Sequence, residues 1–205
     1  VYVYQYDGSS WIQIGYWEGT QGSSEQLGYN SLGLSSDGTI ISMSGRQGDN
    51  DFAARVRVFK YSNGVWNQLG TDLLGPGTSH PSVASYGLNY FGYNTNLNSD
   101  GTIIAISNYY GRNLTGGTPY KIGHLYVYQY DEQTTSWSQI GQTMVGENQD
   151  DSLGYSVSLN SSGNIVSVGA MFYDSGGVSS VGKVYVYEYD DGSGSIVDTT
   201  APVIT

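Results

Sequence analysis

The residues able to do chemistry are few, and the densest group is the acidic run GENQDDSLG, where Glu147, Asp150 and Asp151 lie close together. Carboxylates at this spacing could offer several oxygens to a hard cation such as calcium, or simply carry solvated loop charge. The matching stretch nearer the N-terminus keeps Glu18 and Glu25, whereas GPGTSHPSVASYGLNY keeps no acid. The chain has two histidines, His80 in the loop TSHPS and His124 at the start of a strand pattern, and no cysteine. Neither histidine has a partner at a spacing that would build a triad or a metal site, so no catalytic apparatus is expected. Aromatic residues are the other resource, because exposed rings can stack on a ligand. Most of the 20 tyrosines alternate within strand patterns, which marks them as packing residues. Trp17, Tyr86, Tyr90, Tyr109, Tyr110, Tyr120, Phe172 and Tyr173 fall in loops, and of these Trp17, Tyr109, Tyr110 and Tyr173 are the candidate ligand-binding residues.

What must position these side chains is a repeat. LGYNSLGLSSDGTIISMS from Leu27 recurs as FGYNTNLNSDGTIIAIS from Phe91 and LGYSVSLNSSGNIVSVG from Leu153. The turn glycines Gly38, Gly101 and Gly163 lie 63 and 62 residues apart. A second module alternates with the first: VYVYQYDGSSWIQIG from Val1, VRVFKYSNGVWNQLG from Val56, LYVYQYDEQTTSWSQIG from Leu125 and VYVYEYD from Val184. Trp11, Trp66 and Trp137 are 55 and 71 residues apart, so length varies in the connecting loops while the modules keep their size.

Each pair of modules predicts four antiparallel strands joined by hairpin turns rich in Asp, Asn and Gly. In the aromatic strand Tyr126, Tyr128 and Tyr130 point one way and Leu125, Val127 and Gln129 the other. A sheet with two apolar faces has to be sandwiched, and radial stacking of four-stranded blades does that. The expected fold is therefore all-β: a partial β-propeller of about three blades, each of roughly 62 residues by the spacing of the turn glycines. Residues 1–26 end one blade, 27–90 and 91–152 form two more, and 153–191 give a partial one whose last copy stops before its tryptophan. Residues 192–205 read as a Gly/Ser linker and the start of a following immunoglobulin-like or cadherin-like module, and further domains are expected on both sides.

The net charge is −11, with only seven Lys and Arg, scattered singly. That argues against nucleic acid and anionic membranes, which need clustered cations. No apolar run is long enough for a transmembrane helix, so membrane insertion is not expected. Asn113-Leu114-Thr115 forms a glycosylation sequon.

Phe91-Gly92, Leu27-Gly28 and Leu153-Gly154, followed in one repeat by Gly169-Ala170, resemble the FG-GAP repeats of integrin-α-like propellers and their bacterial and algal surface relatives. The resemblance implies a calcium loop between the first two strands of a blade, for which Asn96, Asn98 and Asp100 are the best match. The first repeat offers only Ser35 and Asp37 there, and the third only Asn160. Asx turns that hydrogen-bond their own backbone are the alternative role for Asp37 and Asp100. Taken with the resemblance, the expected function is a non-enzymatic binding or adhesion module, extracellular or at the cell surface, presenting loops to a protein or glycan partner. A structural spacer in a large surface protein is the alternative, and a propeller hydrolase with its catalytic residues elsewhere is the third. No cofactor is expected beyond calcium.

Overall fold

The computed structural model describes residues 1–19, 25–45, 54–75, 90–113, 120–190 and 192–199. His80, Tyr86, Leu114, Thr115, the Tyr120 side chain and residues 200–205 lie outside them.

The described residues are all β, in eighteen strands. A hairpin of β1 (Tyr2–Tyr6) and β2 (Trp11–Tyr16) comes first. The next sheet runs β3 (Leu32–Leu34), β4 (Ile40–Gly45), β5 (Arg55–Ser62) and β6 (Val65–Gln68), with β7 (Leu73–Leu74) also pairing β5. Its repeat is β8 (Thr95–Leu97), β9 (Ile103–Asn108), β12 (His124–Asp131) and β13 (Ser136–Gln139), with β14 (Met144–Val145) on β12. A side hairpin, β10 (Arg112–Asn113) and β11 (Tyr120–Lys121), interrupts it. The last sheet is β15 (Leu153–Leu159), β16 (Ile165–Ala170), β17 (Lys183–Asp190) and β18 (Ser195–Asp198). We call these sheets blades A to D; the fold is a partial β-propeller, as the repeat implied, with blade A a two-stranded half and blades B, C and D complete.

The C-terminal boundary differs from expectation. Ser195 to Asp198 pair with Asp190 to Tyr187, so part of the expected linker is the fourth strand of blade D.

Each hydrophobic cluster joins two neighbouring blades. Val3 meets Ile41 and Met43 between A and B. Ile40, Val56 and Val58 meet Phe91, Leu97, Ile104 and Ile106 between B and C. Leu125, Val127 and Met144 meet Leu153, Val166, Val168 and Ile196 between C and D. A blade thus has little core of its own, and its stability comes from its neighbours.

Two repeated contacts lock the blades together. On the inner side, the left-handed turn glycines approach the preceding blade: a Cβ on Gly101 would meet Ile40 at 2.8 Å, and one on Gly163 would meet Ile103 at 2.7 Å. Only glycine supplies both the positive φ and the missing bulk. Backbone bonds from Ser36 N to Ser99 O (2.9 Å) and from Ser99 N to Ser161 O (3.0 Å) link the same turns. On the outer side, the Trp66 indole N–H donates to Ile14 O (3.1 Å) and that of Trp137 to Leu69 O (2.9 Å). In blade D, Ile196 takes the tryptophan position over Gly141, and the Gln142 side chain both accepts from Ile196 N (3.1 Å) and donates to Ile196 O (2.8 Å). Trp11, which makes no such contact among the described residues, is 68% exposed.

Removing the latch should therefore cost stability only where it closes. Trp137→Ala is expected to lower unfolding free energy by about 2–4 kcal/mol, combining lost packing and a lost hydrogen bond. Trp11→Ala should cost under about 1 kcal/mol. Denaturant midpoints of the two variants check this, and equal losses would contradict the latch.

Candidate functional site

The repeat breaks down where blades C and D meet at their loop ends, and a cavity opens there. It encloses about 490 Å3 and is lined by Tyr109, Lys121, Gln149, Asp150, Ser152, Phe172, Asp174, Ser179 and Ser180. Lys121 comes from the side hairpin, Tyr109 from the turn after β9, Asp150 and Ser152 from the acidic loop, and the remaining D-blade residues from the loop joining β16 to β17.

Backbone strain concentrates on this cavity. Five described non-glycine residues have a positive φ: Asn63, Thr135, Asp150, Ser152 and Ser180. Asn63 and the β-branched Thr135 occupy hairpin turns, and the other three all line the cavity. Such conformations persist only where the surroundings enforce them. Here Asp150 N donates to Lys121 O (2.5 Å), Ser152 Oγ to Asp150 O (3.3 Å), and Ser180 N to Asp174 Oδ1 (2.7 Å). Gln149 Nε2 reaches Asp150 Oδ2 at 3.2 Å.

One wall continues into a tyrosine cluster. The Tyr93 and Tyr109 rings are 4.2 Å apart, and Tyr90, Tyr110 and Tyr155 surround Tyr109 at 5.1 to 5.7 Å. Burial, assisted by the neighbouring phenols, pushes the Tyr109 hydroxyl up to about 12, so it remains a neutral donor at physiological pH. The Lys121 ammonium sits 3.8 Å from the Tyr110 ring centre, a cation–π contact that holds its stem beside the cavity.

The acids of GENQDDSLG do not converge. Glu147 pairs with Lys183 at 2.7 Å, Asp150 faces the cavity and Asp151 turns inward. Asp151 is fully buried; Oδ2 accepts from Asn148 N at 2.6 Å, while Oδ1 is buried without a hydrogen bond. Asn96, Asn98 and Asp100 also serve separate contacts. Asn96 Oδ1 accepts from Leu159 N of the next blade (2.7 Å), and Asn98 Oδ1 from Ile103 N (2.9 Å). Asp100 Oδ1 accepts from the Thr102 hydroxyl and amide, which hold its carboxyl below the usual value. Asp37 accepts from Thr39 N in the first repeat (2.9 Å). Among the described residues no group of three or more His, Cys, Asp or Glu is arranged to hold a metal.

Of the four ring candidates, Tyr109 lines the cavity and Tyr110 braces Lys121. Tyr173 sits beneath the Lys183 ammonium at 4.8 Å, and Trp17 packs against Phe59 and Trp66 in the core between blades A and B. His124 is held neutral by burial, which lowers it to about 4, and lies 3.2 Å from the Tyr126 hydroxyl. Lys121, Asp174, Ser152 and Ser180 were not singled out from sequence: each stands in a non-repeating loop or short hairpin, with no motif around it.

No protein-family model matches the chain, and no curated protein does. Solved structures do share its fold. Sqt1 of Saccharomyces cerevisiae is similar over 89% of this chain, at 13% identity and a TM-score of 0.50. A candidate 6-phosphogluconolactonase from Bacteroides fragilis is similar over 90%, at 16% identity and a TM-score of 0.50. Another, from Bacteroides uniformis, is similar over 97%, at 14% identity and the same TM-score. The chain spans 37%, 40% and 46% of those three lengths. At such identity the likeness establishes the propeller fold and nothing finer.

Two expectations are corrected. Kinship with FG-GAP repeats is not upheld, since no family model matches and the propellers that share the fold are Sqt1 and candidate lactonases. The adhesion-module reading falls with it, because it leaned on that kinship and candidate enzymes stand among the fold neighbours.

Burial is the main cause that raises the Asp151 carboxyl above its ordinary 3.8, with the Asn148 amide opposing. A raised acid penalises the fold above its folded value, and the penalty disappears as pH falls toward the unfolded value. Asp151→Asn keeps an acceptor for Asn148 N, so it should raise the thermal midpoint at pH 7. The gain over wild type should shrink as pH falls toward the ordinary carboxylate range, because the raised native carboxyl takes up its proton before the unfolded one does. Calorimetry across that range decides; a midpoint lowered equally at both ends would show that burial of the charge is not the cost.

Proposed function

We infer that the chain recognises a small, neutral, hydroxyl-rich molecule, a monosaccharide or sugar lactone, in the cavity between blades C and D. The observation that carries this is the convergence of three strained non-glycine residues on one cavity that also holds ring faces and both signs of charge. Tyr109 and Phe172 offer flat apolar surface, Asp150 and Asp174 accept from hydroxyls, and Lys121 and the serines donate. That mixture suits a polyol ring better than an apolar ligand.

Charge selects among sugars. The lining carries two carboxylates against one ammonium, in a chain of net charge −11. A phosphate at about 4 Å from a carboxylate meets a repulsion of about 1 kcal/mol in water and about 4 kcal/mol near a protein surface. The fold neighbours include candidate 6-phosphogluconolactonases, so sugar lactones belong among the ligands tested, and the unphosphorylated form is favoured here.

Titration calorimetry with glucose, gluconolactone, gluconate and 6-phosphogluconate tests the reading. A neutral ligand should bind saturably, the phosphorylated one at least about tenfold more weakly. Lys121→Met and Asp174→Asn should each weaken binding by about tenfold, the worth of one hydrogen bond to a charged group. A panel without a saturable binder, or variants that bind like wild type, would overturn it.

A further inference from the structure

A second cavity, of about 450 Å3, lies on the open face of blade D, lined among others by Gly169, Met171, Lys183 and Val184. Its shape has a precedent in each earlier blade. A Leu-Gly or Phe-Gly pair leads each following blade and presses on the start of the preceding blade's third strand. Gly28 approaches Val1, with a Cβ there meeting it at 2.8 Å. Gly92 approaches Val56 (2.8 Å) and Ser44 (3.0 Å), with Phe91 buried in the shared cluster. Gly154 approaches Ser107 (2.7 Å) and the His124 carbonyl (3.1 Å), with Leu153 buried beside Leu125.

Strand register carries these positions onto blade D. Ser44 and Ser107 correspond to Gly169, Arg55 and His124 to Lys183, and Val56 and Leu125 to Val184. All three equivalents line the cavity. Val56 and Leu125 are fully buried, whereas Val184 is 61% exposed. Ile165, the counterpart of the residues beneath Gly101 and Gly163, is likewise exposed.

We propose that this cavity is a docking socket for the leading segment of another blade of the same repeat: a Phe-Gly or Leu-Gly dipeptide whose turn glycine follows the aromatic or leucine ten residues later, as Gly101 follows Phe91 and Gly163 follows Leu153. The dipeptide fills the socket and the turn glycine rests on Ile165. Absence of a side chain on the glycine lets the incoming backbone close on Val184, and the ring or leucine supplies the apolar contact. A second copy of this chain is a poorer occupant, because its own Leu27, Phe91 and Leu153 already fill the sockets of its blades A, B and C.

The test is fluorescence anisotropy of a labelled peptide with the sequence of residues 91–102 against the whole chain. Saturable binding is expected, weakened at least tenfold by Asp in place of the peptide's phenylalanine, and equally by Val184→Asp in the protein. Ile165→Asp gives a second protein variant on the same face, and circular dichroism confirms that each is folded. Trp11→Ala, on the opposite face, should bind like wild type. Absence of saturable binding, or undiminished binding to both folded aspartate variants, would overturn the proposal. So would self-association broken by Val184→Asp and unaffected by the peptide, which would make a second copy the occupant.

Discussion

Almost every buried hydrophobic side chain among the described residues belongs to a cluster that two neighbouring blades share. The inner contact is a glycine turn resting on an isoleucine, and the outer one an indole N–H reaching a carbonyl one blade back. Neither contact is strong alone, but each is made at two junctions, the glycine contact at B–C and C–D and the indole bond at A–B and B–C, and both demand close backbone approach. That demand explains the regular features of the sequence. Glycine holds its place in the turns of blades C and D because a Cβ would collide with Ile40 or Ile103, in the turn of blade B because φ is positive there, and after the outer strands because Trp66 and Trp137 lie over Gly15 and Gly70. Loops can lengthen freely between these fixed points, as the uneven tryptophan spacing shows.

The blades were legible because their periodicity follows from this interlock. The same interlock produced the misleading resemblance. A Phe-Gly or Leu-Gly dipeptide at the head of a blade is what a plug followed by a close backbone approach requires, so packing geometry is sufficient to produce it. The fourth strand of blade D was illegible for the opposite reason. There the indole is replaced by Ile196 and the bond is made by the Gln142 amide, so one junction is closed by different chemistry and no tryptophan marks it.

The cavity was only half legible. Asp150 and Tyr109 stood out as an acid and a loop ring, yet nothing in the spelling of Ser152, Ser180 or Lys121 distinguishes them from ordinary surface residues. Their role depends on conformation and neighbours: a positive φ enforced by bonds to Asp150 and Asp174, and an ammonium fixed over Tyr110. Trp17 misled in the other direction. It lies outside a strand but packs beside the A–B cluster, its ring 5.1 Å from that of Phe59 and 5.4 Å from that of Trp66.

One pair of equivalent positions carries different chemistry in blades B and D. Two residues ahead of the plug, blade B has Glu25 and blade D has Asp151, and across from them on the third strand stand Arg57 and Tyr185. In blade B the arginine neutralises the acid at 3.0 Å and also contacts Asp72, giving a closed ionic node. In blade D the tyrosine brings no charge, and Lys183 is engaged by Glu147 instead. Asp151 is left to bind its own loop amide at Asn148, which curls the chain back and sets Asp150 and Ser152 in left-handed conformations at the cavity rim. Loss of one charge partner in the repeat thus leaves a buried carboxylate that costs stability, and the turn it imposes is what aims the cavity's polar groups.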